Sequence, residues 1–256
     1  MSISNKLGDS VTKEPKVNES DFESLWAKHS DGATLGVREK LIILSAYEIR
    51  RVGVLEFNAK TPCEAIGANT SIVNYYFGGR EGLMAEAAFL VHTDWVNTVV
   101  GSLSRRPMDP AKQIRKIFEA ELAYYNFWGE MAIFAAYPNS SPALRSTVHE
   151  KYQDRLQSDL EFYLAVLAIL IHDARAGTRT LIDFDTKSIP KHKMATHSSA
   201  LLAATSLTWS IHGLGIWAAG QYVASEAIED HRLSSLTINL AQRHHIKHII
   251  KSAINL

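Results

Sequence analysis

Between Ser71 and Arg80 the sequence places a hydroxyl, an amide, two phenols and a guanidinium, at Ser71, Asn74, Tyr75, Tyr76 and Arg80. Such groups hydrogen-bond to phosphate oxygens and base edges, and an Asn amide pairs with adenine through two bonds. The run 71–83 contains Gly78-Gly79, and Gly53 stands upstream of it. It reads as the end of a DNA-reading helix, a tight turn and the start of the next helix. Other chemistries have less to work with. There is no GxSxG, no Gly-rich phosphate loop and no pair of carboxylates on an apolar wall, so no catalytic activity is expected. His244 and His248 stand one helical turn apart, as metal ligands can. No Asp or Glu accompanies them between residues 231 and 256, so neither metal nor cofactor is expected.

The elements that must position these groups are helices. From Gly36 onward Leu41, Ile42, Leu44, Ala46, Ile49 and Val52 recur at helical spacing, and Gly53 suits a helix C-terminus that needs positive φ. Asn58 can cap a short second helix over 59–65, while Thr61-Pro62-Cys63-Glu64 offers a later start as a capping box with Pro in the first turn. Gly67 permits a sharp turn before a third helix over 70–77. A long fourth helix opens at Glu81, with Leu83, Ala87, Val91, Trp95, Val99 and Leu103 on one stripe. Beyond Asp109-Pro110, helical spacing continues over 111–128, over 142–176 as one helix or two, over 196–222 and over 226–250. No stretch alternates with period two over five residues, so the expected fold class is all-α. The segment 177–193 is longer and more polar than an ordinary helix connection.

With 256 residues, 46% of them hydrophobic and 21% charged, the chain can bury a sizeable core. Residues 1–32 have few large apolar groups and read as a mobile arm, with Leu25 and Trp26 able to dock on the body. The lone Cys63 forms no intrachain disulfide, which fits a reducing cytoplasm. The N-terminus lacks the order of a signal peptide, and the longest apolar runs, such as 164–171, are too short for a bilayer, so no membrane partner is expected. Net charge is zero, and in 31–85 Arg38, Lys40, Arg50, Arg51, Lys60 and Arg80 are balanced by six acidic residues. This argues against a non-specific nucleic-acid binder. Sequence-specific affinity would have to come from where a few donors sit.

Taken together, Gly53, a small pair near Cys63, Gly67, the aromatic end Tyr75-Tyr76-Phe77, then Arg80 and Leu83 resemble the tetracycline-repressor (TetR) family of transcriptional regulators. The resemblance covers about residues 38–86 and runs without a gap from Gly53 to Phe77. Departures stand at Asn74, where members usually have Tyr, at Phe57 for a hydroxyl residue, at Pro62 for an aliphatic one, and at Ala68-Asn69 for Val-Ser. Asn69 remains a competent N-cap. The resemblance implies a three-helix helix-turn-helix domain over 33–85 and a larger helical effector-binding and dimerisation domain over 86–256. It implies that Thr70, Ser71 and Asn74 face the major groove, that Tyr75 and Tyr76 bond phosphates through their hydroxyls, and that Arg80 and Lys60 pair with backbone phosphates.

In the C-terminal region Ile211-His212-Gly213-Leu214 resembles a segment that is often Ile-Asp-Gly-Leu in that family. The implied partners are double-stranded operator DNA, a second copy of the chain and a small, largely apolar effector. Interface candidates are Leu201, Leu202, Thr205, Trp209, Ile216, Leu236 and Leu240, with ordinary monomer core as the competing account. Tyr124, Trp128, Phe134, Tyr137, Phe162, Tyr163, Trp209 and His212 supply aromatics and one polar anchor for an effector pocket, and here too plain core competes. The expected function is a homodimeric repressor released from a palindromic operator by its effector. A helical adaptor or effector-binding protein that does not touch DNA is the alternative, kept open by the charge balance.

Overall fold

Gly53 ends a run of helical apolar spacing, and the backbone turns there. In the computed structural model, α1 (Val37–Glu56) buries Leu41, Ile42, Ile43, Leu44, Ala46 and Ile49, and Gly53 interrupts it with φ 83° and ψ 165°. A side chain at that φ would be strained. The structure describes residues 35–103, 108–136, 142–180, 198–227 and 235–255, and among them only helices and turns occur, with no strand. The arm 1–32, Tyr137 and residues 181–193 of the polar segment lie outside the described residues.

Two short helices follow. α2 (Lys60–Ala65) buries Pro62 and Cys63, and α3 (Ser71–Phe77) buries Val73 and Phe77. Of the two possible starts for α2 the chain takes the earlier, with the Asn58 side chain accepting from the Lys60 N–H at 3.0 Å. The expected stripe on α4 (Arg80–Gly101) is buried throughout, from Leu83 to Val99, and Leu103 just beyond it is buried too. α5 (Pro110–Trp128) starts as its sequence directs, with Asp109 accepting from the Lys112 N–H at 2.9 Å and Pro110 in the first turn.

α6 (Glu130–Ala136) is a helix that the sequence pattern does not separate from its surroundings. Gly129, with φ 55°, breaks the chain between α5 and α6. α7 (Pro142–Ala176) is one helix of 35 residues rather than two. α8 (Ser198–Ala227) runs past the expected end at 222, and α9 (Ser235–Asn255) is the last described helix. The expected break fell too early because Ala224-Ser225-Glu226-Ala227 is a good helix-forming tail that carries no breaker.

α7 is polar in its first half, while nearly every residue from Phe162 to Ile171 is buried, because this half is surrounded by α4, α5, α8 and α9. One hydrophobic cluster extends from Leu41 to Ala253. The boundary expected at residue 85 falls inside α4, and this cluster crosses it. The first three helices are joined to the rest through α1, which packs on α4 and α6, and through α3, which packs on α4. Tyr47 packs on Trp128 (centroids 5.5 Å apart) and edge-on to Phe127, and the Arg50 guanidinium lies 4.4 Å above the Phe127 ring. Glu86 pairs with Arg38 at 3.0 Å and Lys151 at 3.5 Å, tying α1, α4 and α7. Among the described residues no helix is long and apolar enough to cross a membrane.

Candidate nucleic-acid interface and ligand cavity

The turn between α2 and α3 is built from the backbone. Gly67 takes φ 67°, the Gly67 N–H donates to Glu64 O, and the Ala68 N–H donates to Cys63 O at 2.9 Å. Asn69 accepts from the Ser71 N–H at 2.8 Å, which starts α3. Gly78, left-handed at φ 73°, closes it by donating to Asn74 O at 3.0 Å. Gly82 is fixed by space, since a Cβ there would collide with the Phe77 carbonyl oxygen. Cys63 is wholly buried, and burial followed by the Glu64 carboxylate pushes its thiol pKa up, so it acts as a packing residue.

Anchored through Val73 and Phe77, α3 turns its other side outward. Thr70, Ser71 and Asn74 are exposed, Tyr75 is 81% exposed and Tyr76 38%. Ser71, Asn74 and Tyr75 share one face by their i, i+3, i+4 spacing. The two tyrosine rings meet edge to face at 4.9 Å, so each limits the other's freedom. Lys60 is exposed on α2 but reaches Glu64 at 3.4 Å.

Arg80 is placed differently from the other six. Its Nε and Nη2 donate to Phe57 O at 3.2 and 3.1 Å, Nη2 also donates to Val54 O at 3.1 Å, and the guanidinium packs over the Phe57 ring. Nη1 lies 3.8 Å from Glu81. This cation therefore holds the end of α1 against the start of α4, with its side chain 40% exposed. Arg38 and Arg51 are also paired, with Glu86 and Glu48. Most of the positive charge near α3 is thus neutralised within the chain.

A second feature lies in the body, a cavity of about 850 Å³ between α7 and the wall formed by α4, α5, α6 and α8. That wall carries His92, Trp95, Tyr124, Tyr125, Ala132, Ala135, Ala136 and His212. α7 contributes Arg145, His149, Gln153 and Gln157 at four-residue steps, with Ser146, Val148, Leu156 and Leu160 beside them. Behind the wall sits a buried polar group. Tyr163 Oη donates to Glu121 Oε2 at 2.6 Å, and His212 Nε2 lies 3.0 Å from Oε1, close enough for an ion pair though not aligned as a hydrogen bond. Burial first, then the Glu121 charge, pushes the Tyr163 pKa well above its ordinary 10.0. Tyr124 is raised as well, mainly by burial, and donates to Val91 O. Asp159, also buried, is held by Arg155 at 2.8 Å and His92 at 3.3 Å.

Of the pocket residues expected from sequence, Tyr124 and His212 line this cavity. Trp128, Phe134, Phe162 and Tyr163 do not. They are buried core residues, and Trp128 Nε1 donates to Asp94 at 2.8 Å. Trp209 is 73% exposed on the far side of α8. Aromatic spacing cannot separate these cases, because core and cavity wall demand the same period. The lining residues the sequence reading missed include Arg145, His149 and Gln153. Their four-residue repeat on an otherwise polar half-helix is the signal that could have found them.

Along α8, Leu202, Thr205, Trp209, Gly213 and Ile216 fall at three-, four- and seven-residue steps. Leu202, Trp209 and Ile216 are exposed, Leu202 by 71%, and Leu201 and Trp217 flank them, also exposed. Thr205 is half-buried and donates to Leu201 O. Leu236 and Leu240 belong to α9, but their side chains lie outside the described residues. His244, His245 and His248 border an open cleft of about 570 Å³ with Leu214, Trp217 and Gln242, and no described group of three His, Cys, Asp or Glu could hold a metal ion. Compared with known proteins, the chain matches no protein-family model and no curated sequence.

Proposed function

We propose that this chain is a sequence-specific DNA-binding transcriptional regulator of the TetR kind, acting as a homodimer and released from its operator by a small molecule held in the α4–α8 cavity. The observation that carries this is the outward face of α3. A seven-residue helix clamped by Gly67, Gly78 and Gly82 exposes Ser71, Asn74, Tyr75 and Tyr76, with Thr70 exposed just ahead of it, and the Tyr75 ring is 81% exposed with its edge-to-face contact on Tyr76. Such a face offers hydroxyls and an amide for base edges and phosphates. The internal pairing of Arg38, Arg51, Lys60 and Arg80 favours a reader with few ionic contacts, so its salt dependence is shallow. The apolar stripe on α8 supports pairing of two chains, since contiguous exposed apolar surface of this kind marks an interface, and two heads read a palindrome.

Selection of DNA fragments from a random pool by the purified protein tests the reading. A palindromic consensus is the expected result, and no enrichment sinks it. Tyr75→Ala with Tyr76→Ala is the sharper variant than any change at Arg80, because Tyr75 is largely exposed and Tyr76, though its ring meets Phe77, lies outside the buried set of α3, Val73 and Phe77. It is expected to weaken binding to the selected fragment by about tenfold or more, with a melting temperature close to that of the parent.

A further inference from the structure

We infer that the cavity takes a monocarboxylate with an aromatic or compact apolar body, its carboxylate held by Arg145. This rests on reading the cavity as the effector site. Its two walls differ in chemistry. The inner one is apolar and aromatic, with Trp95, Tyr124, Tyr125, Ala132 and Ala135. The alanines leave room where larger side chains would close the space. The facing wall is the exposed side of α7, where Arg145 and His149 stand one turn apart and Gln153 and Gln157 continue the row.

No Asp or Glu lines the cavity. The nearest buried acids are committed elsewhere, Glu121 to Tyr163 and His212, and Asp159 to Arg155 and His92. Among the described residues Arg145 makes no ion pair, and the two acids that adjoin the lining of α7 are engaged, Glu150 accepting from Ser146 and Glu161 from Gln157, each at 2.8 Å. A guanidinium offers two parallel N–H donors that match a planar carboxylate. A single such fork suits one negative charge, and the His149 ring next to it and the Gln153 amide extend the donor row. A phosphate dianion would meet a single guanidinium here and keep one of its two charges without a partner. The apolar wall then takes the rest of the ligand, and the volume of about 850 Å³ admits a body of two fused rings or a ring on a short chain.

Calorimetric titration of the full chain without DNA tests this with two matched pairs, 1-naphthylacetate against 1-naphthylacetamide and 4-phenylbutyrate against 4-phenylbutyramide. Each carboxylate is expected to bind at least about tenfold tighter than its amide. Arg145→Met should bring each pair to within about twofold while leaving amide binding in place, and Arg145→Lys should fall between because an ammonium cannot form the fork. Equal binding of acid and amide, a preference that survives Arg145→Met, or no saturable binding of either acid at about 1 mM overturns the inference. The measurement involves no DNA. A chain that binds the acids but selects no operator therefore sinks the regulator reading alone, and one that selects an operator but ignores the acids sinks only the ligand class.

Discussion

Over residues 53–82 glycines decide where the chain turns, whereas from α4 onward aromatic side chains decide how helices meet. In the first region a single hydrogen atom in place of Cβ sets the geometry, as at Gly53 with φ 83° and at Gly82, pressed against Phe77 O. In the second, rings of the same type have opposite fates. Trp128 is fully buried on Asp94, Trp95 edges the cavity, and Trp209 lies on the outside of α8. Turn chemistry is local, so it survives being read from sequence. Burial is a property of what arrives from far along the chain.

The comparison can be broken from either side. The largest effect is expected for Trp128→Ala, which empties the core beneath Tyr47, leaves Asp94 without its indole donor and should cost about 4 kcal/mol in urea unfolding. A loss under about 1 kcal/mol would mean that the joint between head and body lies elsewhere. Next comes Gly82→Ala, whose Cβ meets backbone and should cost about 3 kcal/mol, against Gly213→Ala, which meets nothing within 4 Å and should stabilise α8 by about 0.5 kcal/mol. If the two alanines behave alike, the glycine contrast between the regions fails. Arg80→Ala should cost about 2 kcal/mol through the lost bonds to Val54 O and Phe57 O. If it weakens DNA binding with no change in melting, Arg80 is a phosphate contact first.

The smallest effect concerns alkaline pH. Tyr163 has a folded pKa raised well above 10.0 by burial and by Glu121, so its contribution to stability is complete below pH 10. It is lost as pH rises beyond that value, because the unfolded chain releases the proton and the folded one keeps it. Tyr163→Phe should make the fall of stability above pH 10 shallower by up to about 1.4 kcal/mol per pH unit, measured by urea titration at several pH values. An unchanged slope would mean that the phenol ionises in place.

Much of the helical layout was readable. The α4 stripe, the Asp109-Pro110 start of α5 and the turn at Gly67 follow from rules that need only neighbouring residues. α6 was not readable because Gly129 breaks the chain inside a continuous apolar pattern, and the extension of α8 to Ala227 was hidden by the absence of any breaker. For the candidate sites, the exposed set on α3 could be named in advance, while the cavity could not. Four of its expected aromatics went to the core, and the polar row on α7 that faces it looks in sequence like an ordinary solvated helix surface.

By itself the sequence determined the helical class and the short α2 and α3 with their glycine turns, since periodicity, capping and positive φ act within a few residues, while the outward side of α3 was what the resemblance implied. Only the tertiary structure decided that Arg80 secures the end of α1 and the start of α4 with most of its donors, that Glu121 lies buried between Tyr163 and His212, and that Arg145 and Tyr125 line one cavity. Each of those joins residues from separate helices. Their meeting depends on how whole helices pack, which no local spacing encodes.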